Sequence, residues 1–126
     1  MNKTIISTDN APAAIGPYSQ AVRVGDLLFT SGQIPLLPNG DLLEGDVAAQ
    51  TEQVLKNLQA VLTAGGSSLA NVIKCTCFLK DMAHFSAVNE VYGRFFESDP
   101  PARSAVEVAR LPKDVLIEIE AVALVG

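Results

Sequence analysis

Arg103, Glu107, Glu118, Glu120, His84, Cys75 and Cys77 are the side chains whose types and spacing could do chemistry. Arg103 stands in the run Pro100-Pro101-Ala102-Arg103-Ser104, upstream of the turn Leu111-Pro112-Lys113-Asp114. If the segments flanking that turn form a hairpin pairing Arg110 with Val115, one face carries Arg103, Ala105, Glu107, Glu118, Glu120 and Val122. The same alternation turns Val106, Val108, Ile117 and Ile119 the other way. Two readings fit such a face. One is a solvated or subunit-facing surface with structural ion pairs. The other is an anion site beside a carboxylate, for which arginine is suited because its planar fork donates two parallel hydrogen bonds. In this register Arg103 lies opposite Val122, four residues from Glu118, or roughly 13 Å at ~3.3 Å per residue. A long side chain closes that gap only in part, so the site is expected to draw on a neighbouring subunit.

The other candidates carry less. His84 is the only histidine, and no partner spacing recommends it for a nucleophilic triad, so it reads as a surface residue. Cys75 and Cys77 lack the spacing of a zinc site, and one histidine cannot complete a second ligand pair, so core packing is expected and no metal. Gly65-Gly66-Ser67-Ser68 lacks the lysine and the strand-to-helix setting of a phosphate loop and reads as a helix stop.

The elements that must position these residues follow from periodicity. Gln20 to Gln33 reads as two strands around Gly25-Asp26, followed by a loop marked by Pro35, Pro38 and Asn39-Gly40. Asp46 offers an N-cap to a first helix, where Val47, Val54, Leu58, Val61 and Leu62 recur at helical spacing before Gly65-Gly66. From Val72 to Lys80 the period is two, with Ile73, Cys75, Cys77 and Leu79 on one side and Lys74, Thr76, Phe78 and Lys80 on the other. Asp81 can cap a second helix whose stripe of Phe85, Tyr92 and Phe96 holds the polar Asn89 in its middle. Final strands over about Arg103–Arg110 and Val115–Val125 complete the order ββαβαββ. This is an α+β domain with helices on one face of the sheet.

With 126 residues one core is expected, and the whole chain, 1–126, reads as a single domain without repeat or linker. Hydrophobic residues make up 48% and charged residues 18%, so some apolar surface is expected to meet another subunit. The longest uncharged stretch, between Lys56 and Lys74, contains Asn, Gln, Gly-Gly and Ser-Ser and does not suit a membrane span. The N-terminal segment has neither an apolar leader core nor an Arg-rich amphipathic run, and the chain reads as cytoplasmic. A net charge of -5, with no cluster of Lys and Arg, argues against nucleic acid as a partner.

Six segments stand out together: Ala13-Ala14-Ile15-Gly16-Pro17-Tyr18-Ser19-Gln20, Thr30-Ser31-Gly32-Gln33-Ile34-Pro35, Val88-Asn89, Pro101-Ala102-Arg103-Ser104, Val106 to Lys113, and Glu118-Ile119-Glu120-Ala121. Together they resemble the Rid family of reactive intermediate deaminases, also called YjgF. Each is weak alone, but their order and spacing over nearly the whole chain are specific. The resemblance implies a chorismate-mutase-like fold with helices on one face of a mixed sheet, assembled as a homotrimer with sites between subunits. It implies hydrolysis of 2-iminopropanoate and 2-iminobutanoate to 2-keto acids and ammonia, without metal or organic cofactor. By the same resemblance Arg103 looks like the carboxylate binder and Glu118 like the residue that positions or activates the attacking water. Tyr18, Ser31, Gly32 and Asn89 look like pocket lining. Many members carry Cys two residues after the arginine, where this chain has Ala105. A contact made there through the backbone survives that change, whereas a role for a thiol does not. The alternative reading is a non-catalytic module of the same fold that binds small carboxylates or regulates.

Overall fold

Period-two and helical spacing resolve into six strands and two helices in the computed structural model, which describes residues 2–126. Met1, part of the segment read above for a leader, lies outside the described residues. In chain order the elements are β1 (Lys3–Ile6), β2 (Ala21–Val24), β3 (Leu27–Thr30), α1 (Val47–Ala64), β4 (Val72–Leu79), α2 (Phe85–Phe95), β5 (Ala102–Glu107) and β6 (Ile117–Leu124). The α+β class is as expected, with one strand more. β1 was missed because it is a four-residue edge strand, largely exposed, and shows no alternation for a sequence pattern to reveal.

The strands lie in the order β1-β2-β3-β6-β4-β5, and every pair is antiparallel except β4 with β5. The expected hairpin of the last two strands therefore does not form. β4 lies between them, so that Cys75 pairs with Arg103 on one side and with Ala121 on the other. The physical reason is the crossover: α2 gives the chain the length to bring β5 back parallel to β4. The Pro112–Asp114 turn then carries the chain past β4 rather than folding it back on β5, and Lys113 and Asp114 both adopt positive φ there (55° and 56°).

A second departure lies at the start of β4. The register shifts between Val72 and Lys74, so Val72 is buried and Ile73 is turned outward, 43% exposed, rather than sharing the cysteine face. One extra residue in a strand reverses the side chains on one flank of the bulge.

The core lies between the helices and one sheet face. Leu28, Cys75, Cys77, Leu79, Ile117 and Ile119 meet Val54, Leu55, Leu58 and Leu62 of α1 and Val88 and Val91 of α2. Asp46 caps α1 by accepting from the Ala49 N–H at 2.9 Å, and Gly66, at φ 82°, ends it while Ser67 N–H donates to Leu62 O. The opposite sheet face is apolar and open: Ile5, Leu27, Phe29, Val106 and Leu124 are all exposed there.

Buried amides fix the loops that border this open face. Asn57 donates to Ile34 O at 3.3 Å and Leu36 O at 2.8 Å. Gln20 accepts from Thr8 N–H at 2.7 Å and donates to Pro12 O at 2.8 Å. Each satisfies backbone groups that would otherwise be buried without partners. Among the described residues no helix is long and apolar enough to cross a membrane.

Candidate functional site

Arg103 and Glu118 do not share a face. Arg103 pairs with Cys75, whose side chain is in the core, and therefore points toward the helices. Glu118 pairs with Phe78, which pairs in turn with Val106, and points with them to the open face. The expectation of one charged face holding Arg103, Ala105, Glu107, Glu118 and Glu120 is thus corrected, because the insertion of β4 replaces the assumed register. Ala105 lies two residues along from Arg103, pairs with Cys77 and packs against the core.

On the helix side, Arg103 is half-buried beside α2. Its Nη1 donates to Asn89 Oδ1 at 2.8 Å. Its Cζ lies 4.7 Å from the Tyr92 ring centroid and 5.3 Å from that of Phe85. The ion pairs among the described residues are Lys56 with Glu52 and Arg110 with Asp114, so Arg103 has no carboxylate partner. Asn89, Tyr92, Phe96, Pro100, Pro101 and Arg103 line a cleft of about 430 Å³. The place of Asn89 in the middle of an apolar stripe is explained by this bond. Below the cleft, burial pushes the Cys77 thiol up to about 12, and Cys75 beside it adds to the rise. Such thiols are inert packing groups.

On the open face, Tyr18, Ser31, Gly32 and Glu118 come together around a cavity of about 420 Å³. Ser31 closes β3 and its Oγ donates to Ser19 O at 2.6 Å, while the Tyr18 hydroxyl accepts from Ile15 N–H at 3.3 Å. The first bond ties the loop bearing Tyr18 to the end of β3, and the second lies within that loop. Gly32 leaves room for the Glu118 carboxylate, which a Cβ there would force to shift. Burial raises the Glu118 pKa above its ordinary value, and the neighbouring Glu120 carboxylate raises it further. A half-buried carboxyl with a raised pKa facing a cavity can take a proton from water and return it.

Sequence reasoning did not assign Ile15, Ile34, Pro112 and Glu120 to this cavity, although they line it. Ile15, Ile34 and Pro112 sit inside motif segments already singled out, and Glu120 follows from its period-two relation to Glu118. Phe85 and Tyr92 were read only as an apolar stripe. His84 is half-buried rather than a surface residue, with its Nδ1 lacking a partner at the start of α2. Among the described residues no cluster of three or more His, Cys, Asp or Glu could hold a metal ion.

Known proteins resemble this chain over nearly its whole length. A family model described as endoribonuclease L-PSP matches residues 8–125. A RutC family protein of Pyrococcus horikoshii is 57% identical, covering 96% of this chain and 97% of that one. A 2-iminobutanoate/2-iminopropanoate deaminase of Escherichia coli K12 is 52% identical with 98% of both chains covered. The crystal structure of the Escherichia coli YjgF gene product superposes with a TM-score of 0.92 at 51% identity, covering 96% of this chain and 98% of that one. A family match over nearly the whole chain, with relatives this similar end to end, shows that the chain belongs to the L-PSP family, also called YjgF or Rid.

Proposed function

We propose that residues 1–126 act as one Rid-type domain that hydrolyses small reactive 2-imino acids, 2-iminopropanoate and 2-iminobutanoate, to 2-keto acids and ammonia in the cytoplasm. The observation that carries this reading is a half-buried arginine with no carboxylate partner, its guanidinium anchored on Asn89 and its remaining N–H donors free for a ligand. A guanidinium so held is matched to the carboxylate that every 2-imino acid carries. The deaminase name borne by a relative at 52% identity points the same way.

In this mechanism Arg103 binds the substrate carboxylate and orients C2. The protonated imine carbon is already electrophilic, so the main requirements are orientation and a base for water. The Glu118 carboxylate takes a proton as the water oxygen bonds to C2, giving a carbinolamine. Returning that proton to nitrogen lets the C–N bond break; ammonia leaves as the C=O forms and the hydroxyl proton passes to the Glu118 carboxylate, which then gives it up to ammonia or solvent. Tyr18, Ser31, Gly32 and Asn89 shape the pocket, and Ala105 meets the ligand through its backbone. No metal or organic cofactor takes part in any of these steps.

Because Arg103 and Glu118 face opposite ways, the reaction needs both from different copies of the chain. The exposed apolar face around Phe29, Val106 and Leu124 is suited to bury itself against such copies in a homotrimer. A nuclease reading, suggested by the endoribonuclease in the family description, lacks a basic surface at a net charge of -5.

The test is a coupled assay in which an oxidase generates 2-iminopropanoate and ammonia release is followed. Arg103→Ala is expected to abolish the acceleration while the protein stays folded and assembled. Unchanged rates in that variant would sink the proposal. Binding of 2-ketobutyrate without turnover by the unaltered protein would replace it with a non-catalytic carboxylate-binding module.

A further inference from the structure

We propose that Tyr92 and Phe85 are positioning residues: their rings hold the Arg103 guanidinium so that its unpaired N–H edge stays presented to the substrate carboxylate. This rests on Arg103 being the carboxylate binder. The Arg103 Cζ lies 4.7 Å from the Tyr92 centroid and 5.3 Å from the Phe85 centroid, within the range in which a ring face attracts a cation. Both rings come from α2, as does Asn89, which takes one guanidinium proton at 2.8 Å.

The choice of partners matters chemically. An arginine has five N–H donors, and an aspartate or glutamate support would consume a bidentate pair of them. Aromatic faces attract the same charge without using any donor. One amide and two rings therefore fix the plane of the group and leave its other donors free. An acidic support would also cancel the charge that a carboxylate ligand requires, and no acidic residue pairs with Arg103 among the described residues.

Tyr92 carries an independent sign that its ring, and not its hydroxyl, is what the site uses. The residue is 6% exposed, and its hydroxyl lies beside the Cys75 thiol rather than bonding to Arg103. The hydroxyl therefore adds nothing to the hold on Arg103. Tyr92 also packs on Phe96 with centroids 4.7 Å apart, which limits its freedom to turn away from the guanidinium.

The experiment measures steady-state kinetics of imine hydrolysis and 2-ketobutyrate binding for Tyr92→Phe, Tyr92→Leu, Phe85→Leu and Arg103→Ala in the full-length assembled protein. Loss of ring attraction is expected to raise KM by roughly 5- to 10-fold in each leucine variant, with kcat changed by less than about 2-fold. Tyr92→Phe restores KM to that of the unaltered protein and keeps or raises Tm. The binding constant for 2-ketobutyrate weakens in parallel with KM. A Tyr92→Leu variant that stays folded with unaltered KM overturns the proposal, as does a Tyr92→Phe variant as impaired as Tyr92→Leu. If Tyr92→Leu does not fold, Phe85→Leu decides on the same criteria, because Phe85 is only half-buried. If Arg103→Ala itself leaves hydrolysis unchanged, the deaminase reading fails. If Arg103→Ala abolishes hydrolysis and the leucine variants leave KM alone, only the positioning proposal fails.

Discussion

The Arg103 cleft and the Glu118 cavity differ in how completely each is furnished within one chain. Arg103 is held from three sides by Asn89, Tyr92 and Phe85, so its orientation is set before any ligand arrives. Glu118 is the reverse: burial and a like charge act on it, and no hydrogen bond offsets the rise in its pKa. The first is a finished half-site and the second an unfinished one. A fork fixed on the helix side and a base on the open side of the same sheet cannot enclose one small molecule. On the proposed reading, the difference teaches that the Glu118 cavity is completed by the surface of another copy.

Mixing subunits breaks this comparison most severely. Arg103→Ala and Glu118→Gln are each expected to be inactive alone. If a site takes Arg103 from one subunit and Glu118 from its neighbour around a ring, refolding the two variants together in equal amounts restores about one site in four. Ammonia release from the mixture measures this. Mixed trimers with no activity would mean that both groups serve the same chain's site, contrary to their opposite faces.

A smaller effect separates the two regions. Gly32→Ala drives a methyl group into the Glu118 carboxylate and leaves the Arg103 cleft untouched. Turnover is expected to fall by about 100-fold, since a misplacement near 1 Å at a reacting group costs that much. Binding of 2-ketobutyrate through Arg103 should weaken far less. Calorimetry beside the coupled assay checks the split, and equal losses in both would show that the regions are not separable.

Much of this was legible because local rules agree with tertiary ones. Asp46 and Gly65-Gly66 bracket α1, and the alternation of β4 delivers Cys75, Cys77 and Leu79 to the core as expected. Asn89 was legible as a polar residue within an apolar stripe, but its partner Arg103 was not. The face of Glu118 relative to Arg103 was not legible. Strand order depends on which neighbour β5 finds, and the segment before Leu111-Pro112 has the same alternation whether it pairs with β6 or with β4. The parallel solution depends on the α2 crossover, a non-local relation that no spacing records. Ile73 was misplaced for a related reason, since a one-residue bulge leaves period two intact in the sequence. Tyr92 and Phe85 were visible as core-type residues, but their rings gain a second role only once Arg103 is brought across from β5.

The smallest expected effect concerns stability and has the opposite sign to the catalytic one. A carboxyl whose folded pKa is raised binds its proton more tightly in the folded state than in the unfolded chain. Its contribution is therefore fully present below the unfolded value of about 4.3 and is lost as pH rises through the folded pKa. Above that window the ionised Glu118 destabilises the fold, because burial and Glu120 both disfavour its charge. Glu118→Gln removes the charge while keeping the side-chain length beside Gly32. It should stabilise the protein at neutral pH by on the order of half a kcal/mol, since water still screens a half-buried group. The gain should shrink below about pH 4, where the native side chain is neutral too. Thermal unfolding of both proteins across that range reads the difference. No comparable trade between stability and turnover is expected at Arg103, whose guanidinium already has an amide and two rings around it. A Glu118→Gln variant less stable than the parent at neutral pH would mean that the Glu118 cavity is furnished after all.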